Sequence, residues 1–129
     1  MIRAKVKKVN PASTQSLVNC IVKGILEKKG LETVVLDLAK INSTICDSFV
    51  ICHGTSRTHV VALADSVEEM VRRELGLLPR RREGITNAEW VLLDYMDVVV
   101  HVFQEPIRNF YKLEALWADA PRIQIENHD

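Results

Sequence analysis

Two aspartates, Asp94 and Asp97, stand three positions apart between two apolar runs and are the first candidates for metal chemistry. Carboxylate oxygens are suitable ligands for Mg²⁺, but two carboxylates alone provide too few ligands unless a nucleotide adds its phosphates. The same residues also suit the polar ends of a β-hairpin. We favour the hairpin interpretation, which predicts no metal site at this pair.

Two further groups of residues suggest chemistry, and each has a simpler explanation. The run Gly54-Thr55-Ser56 could hold a phosphate at a helix N-terminus, but it lacks the further glycines and the lysine of a P-loop. Cys52, His53 and His59 could in principle ligate zinc, yet their spacing matches no standard zinc pattern, and Cys52 is expected to face inward as a small apolar residue. No serine–histidine–acid set can be assembled. The sequence therefore predicts no catalytic residue.

A basic run, Arg80-Arg81-Arg82, lies between Pro79 and Gly84 and predicts a positively charged loop. Such a run can grip phosphates of a nucleic acid. It is also typical of a merely solvated loop, and both interpretations stay open here.

The residues from Trp90 to Phe103 form two apolar runs around a short polar break, and they predict an antiparallel hairpin. A two-residue turn at Tyr95-Met96 would place Asp94 opposite Asp97. Strand parity predicts one purely aliphatic face, expected to be core, made of Val91, Leu93, Val98, Val100 and Val102. The other face mixes aromatic, apolar and acidic groups, as protein-binding surfaces do, and carries Trp90, Leu92, Asp94, Asp97, Val99, His101 and Phe103.

Length and composition set the class of protein. The 129 residues, 47% of them hydrophobic, predict a single domain over 1–129, with a core at about 11–121 and a loose tail at 122–129. Lysine plus arginine and aspartate plus glutamate number 17 each, which argues against coating nucleic acid by bulk charge. The three cysteines form no CxxC pair, and the basic residues 1–10 lack the apolar segment of a secretory signal, so we expect a cytoplasmic protein. The sequence also contains no apolar run of about 18 residues, so we expect no membrane partner.

The remaining periodicities predict the elements that position these residues. Helices are expected at 11–29 (with Asn10 as a possible cap and Gly30 as a left-handed stop), at 58–75 and at 106–121, and strands at 33–38 and 48–53. The two strands are apolar at the centre and should be covered on both faces. In the last helix four apolar residues should point one way, namely Ile107, Phe110, Leu113 and Trp117. The fold class is therefore α/β, a small mixed sheet flanked by helices in the order α-β-β-α-β-β-α.

Several of these stretches together resemble the ribosomal silencing factor family, also called Iojap-like. The resemblance spans about residues 29–121 and depends on three motifs in order. They are the strand Trp90-Val91-Leu92-Leu93-Asp94-Tyr95, the strand Asp97-Val98-Val99-Val100-His101-Val102-Phe103, and the helix with Arg108, Tyr111-Lys112-Leu113-Glu114 and Leu116-Trp117. Earlier matches are Val35-Leu36-Asp37-Leu38, Asp47-Ser48-Phe49-Val50-Ile51, Gly54-Thr55-Ser56 and Glu83-Gly84.

The resemblance implies a nucleotidyltransferase-like fold without catalysis and without a cofactor. It implies binding to the large ribosomal subunit through ribosomal protein L-fourteen, a steric block to subunit joining that represses translation under nutrient limitation, and a homodimer off the ribosome. We expect the docking residues at the hairpin to be Trp90, Leu92, Asp94, Tyr95, Asp97 and His101. A minor contact to ribosomal RNA is expected from Arg80, Arg81 and Arg82.

The alternative is a degenerate nucleotidyltransferase-type enzyme that uses Asp94 and Asp97. Such enzymes follow the glycine–serine turn with a pair of aspartates, whereas Asp65 stands alone at that distance. One departure from the family pattern is Met96, where glycine is usual; a tight turn there needs a positive φ, which disfavours methionine.

Overall fold

A six-stranded sheet organises residues 11–41 and 45–127, the part of the chain that the computed structural model describes. The first half contains helix α1 (Pro11–Glu27), strand β1 (Leu31–Asp37), a 3-10 turn (Ala39–Ile41), strand β2 (Ser48–Gly54) and helix α2 (Arg57–Leu75). The second half contains strands β3 (Arg81–Glu83), β4 (Trp90–Asp94) and β5 (Val98–Gln104), helices α3 (Glu105–Tyr111) and α4 (Leu113–Leu116), and strand β6 (Arg122–Gln124).

The sheet is mixed, with strand order β3-β4-β5-β2-β1-β6. Strands β2 and β5 are parallel, and the other neighbours pair antiparallel. The predicted α/β class, a mixed sheet flanked by helices, is confirmed.

The two central strands are covered on both faces, as their continuous apolar sequences predict. Every residue of β2 is buried, and so is every residue of β5 except Gln104. One face packs under α1 and α2, against side chains such as Ile25 and Leu63. The other face packs under the C-terminal helices and includes Phe103 and Leu113. The fold thus has two apolar layers, one on each side of the sheet.

The helix ends follow from local capping. The Ser56 hydroxyl accepts a hydrogen bond from the His59 amide at 3.1 Å, and Gly76 closes α2 in the left-handed region at φ 69°. After α1 the left-handed residue is Lys29 (φ 60°) rather than Gly30, so that prediction was wrong. Gly30 is instead needed for close approach, because a Cβ there would clash with the Ile25 side chain. The possible cap Asn10 lies outside the described residues.

The hairpin has the predicted faces but not the predicted register. Trp90 pairs with Phe103 and Asp94 with Val99, so the pairing is shifted by two residues. The turn therefore lies at Met96 and Asp97, and the Tyr95 amide donates to the Val98 carbonyl at 2.9 Å. The predicted aliphatic face is fully buried under α1 and α2, and it consists of Val91, Leu93, Val98, Val100 and Val102. Met96 adopts φ 79°, the positive value that the tight turn requires.

Two short edge strands and a helix break differ from the predictions. Arg81–Glu83 is not loop but strand β3, paired with β4. Arg122–Gln124 is not a loose tail but strand β6, paired with β1. The last helix is interrupted at Lys112 (φ 50°), which separates α3 from α4.

The helix break has a physical reason in the contacts of Arg108. Its guanidinium donates to the Glu114 carboxylate at 2.6 Å. In a continuous helix, the side chains of Arg108 and Glu114, six residues apart, would point about 120° away from each other. The ion pair between them therefore requires the helix to be interrupted. Beyond the break Leu113 is buried, whereas Phe110 is exposed, so the prediction that these two residues point the same way was wrong.

Candidate partner-binding surface

An aromatic cluster lies on the hairpin face that is not covered by α1 and α2. The register places Trp90 beside Phe103, with ring centroids 4.8 Å apart, and Leu92 opposite His101. The Trp90 indole N–H donates to His101 Nδ1 at 3.1 Å. Trp90 is therefore held in position by both strands of the hairpin.

His101 is a buried support for Trp90 rather than an exposed contact. Only 4% of His101 is exposed, and Phe49 packs edge-on to its ring at 4.5 Å. Burial lowers the pKa of His101 to about 4, so the ring is neutral near pH 7. Since Nδ1 accepts from Trp90, the proton lies on Nε2, which is buried without a hydrogen-bond partner among the described residues. The prediction that His101 contacts a partner directly is corrected accordingly.

Helix α3 extends this cluster to the surface. The Tyr111 ring lies 5.0 Å from Trp90, and Phe110 packs edge-on to Tyr111, also at 5.0 Å. Tyr111 is 51% exposed and Phe110 is 77% exposed, while Trp90 is half-buried. We call these three residues the aromatic patch. Contiguous exposed aromatic rings of this kind are typical of binding sites.

Arg108 fixes the helix that carries the patch. It is 6% exposed and donates to His53 Nδ1 at 2.9 Å as well as to Glu114. Burial and the charge of Arg108 together lower the pKa of His53, which keeps this ring neutral as an acceptor. Burial alone would raise the pKa of Glu114, but the hydrogen bond and charge of Arg108 outweigh it, so this carboxylate is ionised. The base of α3 is thereby bonded to β2 and to α4.

Asp94 is not an exposed acidic contact, contrary to the prediction. Its carboxylate is bonded to Arg80 at 2.8 Å and lies 3.5 Å from Arg81. It also accepts from the Met96 amide at 2.8 Å, which stabilises the turn. Burial would raise the pKa of Asp94, but these hydrogen bonds and charges outweigh it and hold the pKa below its usual value. Asp94 therefore ties β3 to the hairpin.

Tyr95 lies elsewhere than predicted, whereas Asp97 lies at the hairpin turn as expected. Tyr95 is 8% exposed and packs on the opposite face, under the helices α1 and α2, so it does not belong to the docking surface. Burial raises the pKa of its hydroxyl well above the usual value. Asp97 is half-buried in the turn, and its carbonyl accepts from the Asp47 and Ser48 amides. Of the six proposed docking residues, Trp90, Leu92 and Asp97 remain half-buried, and Trp90 and Leu92 lie beside the aromatic cluster.

The three arginines are exposed but paired with acids. Arg80 and Arg81 contact Asp94, and Arg82 contacts Glu68 at 3.2 Å. A guanidinium has more N–H donors than one carboxylate uses, so each arginine can bind a phosphate while it keeps its acid partner.

The described residues hold no group of three or more His, Cys, Asp or Glu side chains arranged to bind a metal ion. Cys20, Cys46 and Cys52 are free and buried. Within the same part of the chain, no helix has the length and apolar character needed to cross a bilayer.

Phe110 and Tyr111 are the candidate contacts that sequence reasoning missed. Helical spacing placed Phe110 with the apolar stripe because the buried position of Arg108, which turns Phe110 outward, was not foreseen. A signal was present, since adjacent residues of a helix point about 100° apart and Phe110 and Tyr111 cannot both lie at the centre of one apolar stripe.

Comparison with known proteins identifies the family. The model of the family described as "Ribosomal silencing factor during starvation" matches residues 11–129. The chain is 43% identical over 114 residues to ribosomal silencing factor RsfS of Halalkalibacterium halodurans, covering 88% of this chain and 96% of that protein. It is 40% identical over 100 residues to RsfS of Bacillus subtilis, covering 78% and 83%.

A solved structure agrees with this assignment. A crystal structure of a Chromobacterium violaceum protein superposes with a TM-score of 0.77 at 33% identity, covering 81% of this chain and 86% of that one. Family match, sequence identity and fold lead to one conclusion: the chain belongs to the ribosomal silencing factor family.

Proposed function

We propose that this protein binds ribosomal protein L-fourteen on the large ribosomal subunit and sterically blocks subunit joining, thereby repressing translation when nutrients are scarce. Family membership supports a role in silencing ribosomes. The partner and the steric block are the expectations that the sequence resemblance raised. In this proposal the protein acts in the cytoplasm, without catalysis or a cofactor, and forms a homodimer off the ribosome.

The observation that carries the proposal is the aromatic patch. Phe110 and Tyr111 are exposed on a helix that the buried Arg108 bonds to the sheet. Aromatic side chains on a fixed backbone desolvate a large area at a small entropic cost, so they are suited to anchor a protein partner. We assign Trp90, Leu92, Phe110 and Tyr111 to the docking surface.

A minor contact to ribosomal RNA is proposed for Arg80, Arg81 and Arg82. Their side chains are 57%, 62% and 43% exposed, and they follow one another along the edge of the sheet next to β4. Each has N–H donors beyond those that its acid partner uses, and these can bind a phosphate with release of counterions from the RNA.

The enzyme alternative finds little support in the site. The carboxylate of Asp94 is occupied by Arg80 and by the Met96 amide. A magnesium-dependent mechanism would need both bonds to break. Saturable binding of ATP or CTP with Mg²⁺ at micromolar concentration, lost in Asp94→Asn, would nevertheless establish it.

A pull-down of ribosomal protein L-fourteen tests the docking surface. Phe110→Ala and Tyr111→Ala should weaken binding by about tenfold or more each, as for central aromatic anchors. Trp90→Ala should also weaken it, and circular dichroism must first show that this half-buried variant is folded. Leu78→Ala is the matched control, since Leu78 is an equally exposed apolar residue, 71% exposed, outside the patch. Unchanged binding by the folded patch variants would exclude this surface.

A further inference from the structure

Helix α3, which carries Phe110 and Tyr111, has little support from its own sequence. It spans seven residues, or about two turns, and the N-cap residue Gln104 makes no side-chain capping bond. Helices shorter than about 12 residues are marginal in water without tertiary contacts. The orientation of α3, and with it that of the two aromatic rings, therefore depends on the contacts at its base.

The buried Arg108 makes the polar contacts at this base. Its Nη1 donates to His53 Nδ1 on β2 at 2.9 Å and to the Leu31 carbonyl on β1 at 3.4 Å. Its Nη2 donates to Glu114 on α4. The bond to Glu114 joins two C-terminal helices, whereas the bonds to His53 and Leu31 join α3 to the sheet. His53 is the closer of these two acceptors.

The bond to His53 requires a neutral imidazole. A guanidinium carries N–H donors alone and stays charged, so His53 Nδ1 must offer a lone pair and the ring proton must lie on Nε2. His53 is only 3% exposed, so water does not readily replace this bond. A second proton would place an N–H group on Nδ1, facing the guanidinium across 2.9 Å. Protonation of His53 therefore removes the bond and sets two positive charges against each other in a site with little screening.

The charges that act on His53 come from three neighbouring elements. They are Arg108 and Glu105 on α3, Glu114 on α4 and Glu32 on β1. Burial and the charge of Arg108 hold the pKa of His53 below its usual value, although the three carboxylates act in the opposite direction. His53 is therefore neutral at pH 7. In the released state its pKa returns to about 6.5, so acidification below that value favours release of α3.

We propose that His53 is a positioning residue for the docking surface, which holds α3 through Arg108 while it is neutral and releases α3 when it binds a proton. This inference rests on the proposed function, because Phe110 and Tyr111 on α3 belong to the proposed docking surface. Docking is then regulated by pH: the aromatic patch keeps its binding orientation at neutral pH and loses it below about pH 6.5.

Amide hydrogen exchange of the full chain at pH 7.5 and pH 5.5, expressed as protection factors, tests the release of α3. His53→Asn offers an amide oxygen to Arg108 but binds no proton. A single histidine of ordinary pKa, protonated in the released state alone, increases the released population by at most about tenfold at pH 5.5. On acidification the unmodified protein should therefore lose between about twofold and tenfold more protection in α3 than His53→Asn does.

Two controls separate this role from a merely structural one. His59→Asn, at a histidine of α2 outside the Arg108 contacts, should respond to pH as the unmodified protein does. Amides of α2 should stay more protected than those of α3 at both pH values, because α3 opens while the rest of the fold stays closed. A merely structural role of His53 would change the protection of α3 equally at both pH values.

The affinity for ribosomal protein L-fourteen at the same two pH values tests the link to docking. Apparent affinity falls with the fraction of molecules that hold the binding-competent conformation. The unmodified protein should lose at least about twofold more affinity on acidification than His53→Asn, so that effects of pH on the partner itself cancel.

Several results would overturn the proposal. Equal pH responses of α3 in the unmodified protein and in His53→Asn would do so, as would equal protection of α2 and α3. Imidazole nitrogen shifts of the unmodified protein need no variant, and a protonated His53 Nδ1 at pH 7.5 would also contradict it. A response of α3 without the change in affinity would remove the link to docking. No binding of ribosomal protein L-fourteen at pH 7.5 would instead contradict the proposed function, and the exchange data would still decide whether His53 positions α3.

Discussion

At the scale of single residues, the hairpin depends on a buried carboxylate that sequence patterns had assigned to a partner. Asp94 bonds to Arg80 and to the Met96 amide, so it stabilises both the β3 edge and the turn. From its residue type alone, an aspartate between two strands is expected at the exposed tip of a hairpin. Its actual role depends on an arginine fourteen positions earlier that only the folded chain brings near.

The first prediction concerns Asp94→Asn, which keeps the shape and an acceptor for Met96 but removes the charge. At pH 7 the free energy of unfolding should fall by about 2 kcal/mol, as for a hydrogen bond to a charged group. The pKa of Asp94 is lowered by folding, so its stabilisation is present above the unfolded pKa of about 4 and is lost as the pH falls through the lower folded value. Urea unfolding should therefore show the two proteins converging below pH 4. A constant difference from pH 7 to pH 3 would contradict the ion pair.

The second prediction concerns Met96, which holds φ 79° in the turn. A left-handed conformation costs a non-glycine residue about 1–2 kcal/mol, while glycine loses about 0.4–1 kcal/mol through its freer unfolded state. Met96→Gly should therefore raise the free energy of unfolding by roughly 0.5–1 kcal/mol. Met96→Ala keeps the Cβ and serves as the control, expected to show no gain. Equal effects of the two substitutions in denaturant melts would refute the strain argument.

At the scale of elements, the third prediction tests the buried face of the hairpin. Val100 lies at the centre of β5 and is fully buried against the helix layer. Val100→Asp would bury an unpaired charge and should abolish the cooperative thermal transition. Leu78→Asp, at an exposed position, should melt near the unmodified protein. Retention of the melting temperature by Val100→Asp would mean that the two faces are reversed.

The faces of the hairpin could be predicted although its register could not. A shift of two residues leaves strand parity unchanged, so Val91 and Leu93 stay on the core side in either register. The register instead depends on which residues form the turn. The turn residues could not be recognised from the sequence because Met96 occupies a left-handed position where a glycine would usually indicate the turn.

The edge strands and the helix break could not be predicted from side-chain patterns. Strand β3 consists of charged residues that protect a sheet edge, and β6 is only three residues long. Both are determined by hydrogen bonds to neighbouring strands. The break at Lys112 likewise depends on the tertiary ion pair between Arg108 and Glu114. The exposure of Phe110, one of the three residues of the aromatic patch, follows from the buried position of Arg108, because side chains two residues apart on a helix point about 160° apart.

At the scale of the whole molecule, the fourth prediction concerns Arg80, Arg81 and Arg82 beside the β3 edge of the sheet, which we call the arginine edge. Replacing Arg80, Arg81 and Arg82 with alanine should weaken ribosome binding and lower its salt dependence, because up to three phosphate contacts are removed. The variant must first be shown to be folded, since Arg80 is bonded to the buried Asp94. Alanine at Arg72 and Arg73, two exposed arginines of α2, provides the control for lost positive charge. An unchanged salt slope in the β3 variant would reduce the arginine edge to an ordinary solvated surface.

The central claim is that the aromatic patch blocks subunit joining, and sucrose-gradient sedimentation of purified ribosomal subunits tests it most directly. Added protein should shift material from joined ribosomes to separate subunits. The folded double variant Phe110→Ala with Tyr111→Ala should lose this effect, whereas Leu78→Ala should retain it. If the double variant still keeps the subunits apart at the same concentration as the unmodified protein, the patch is not the blocking surface.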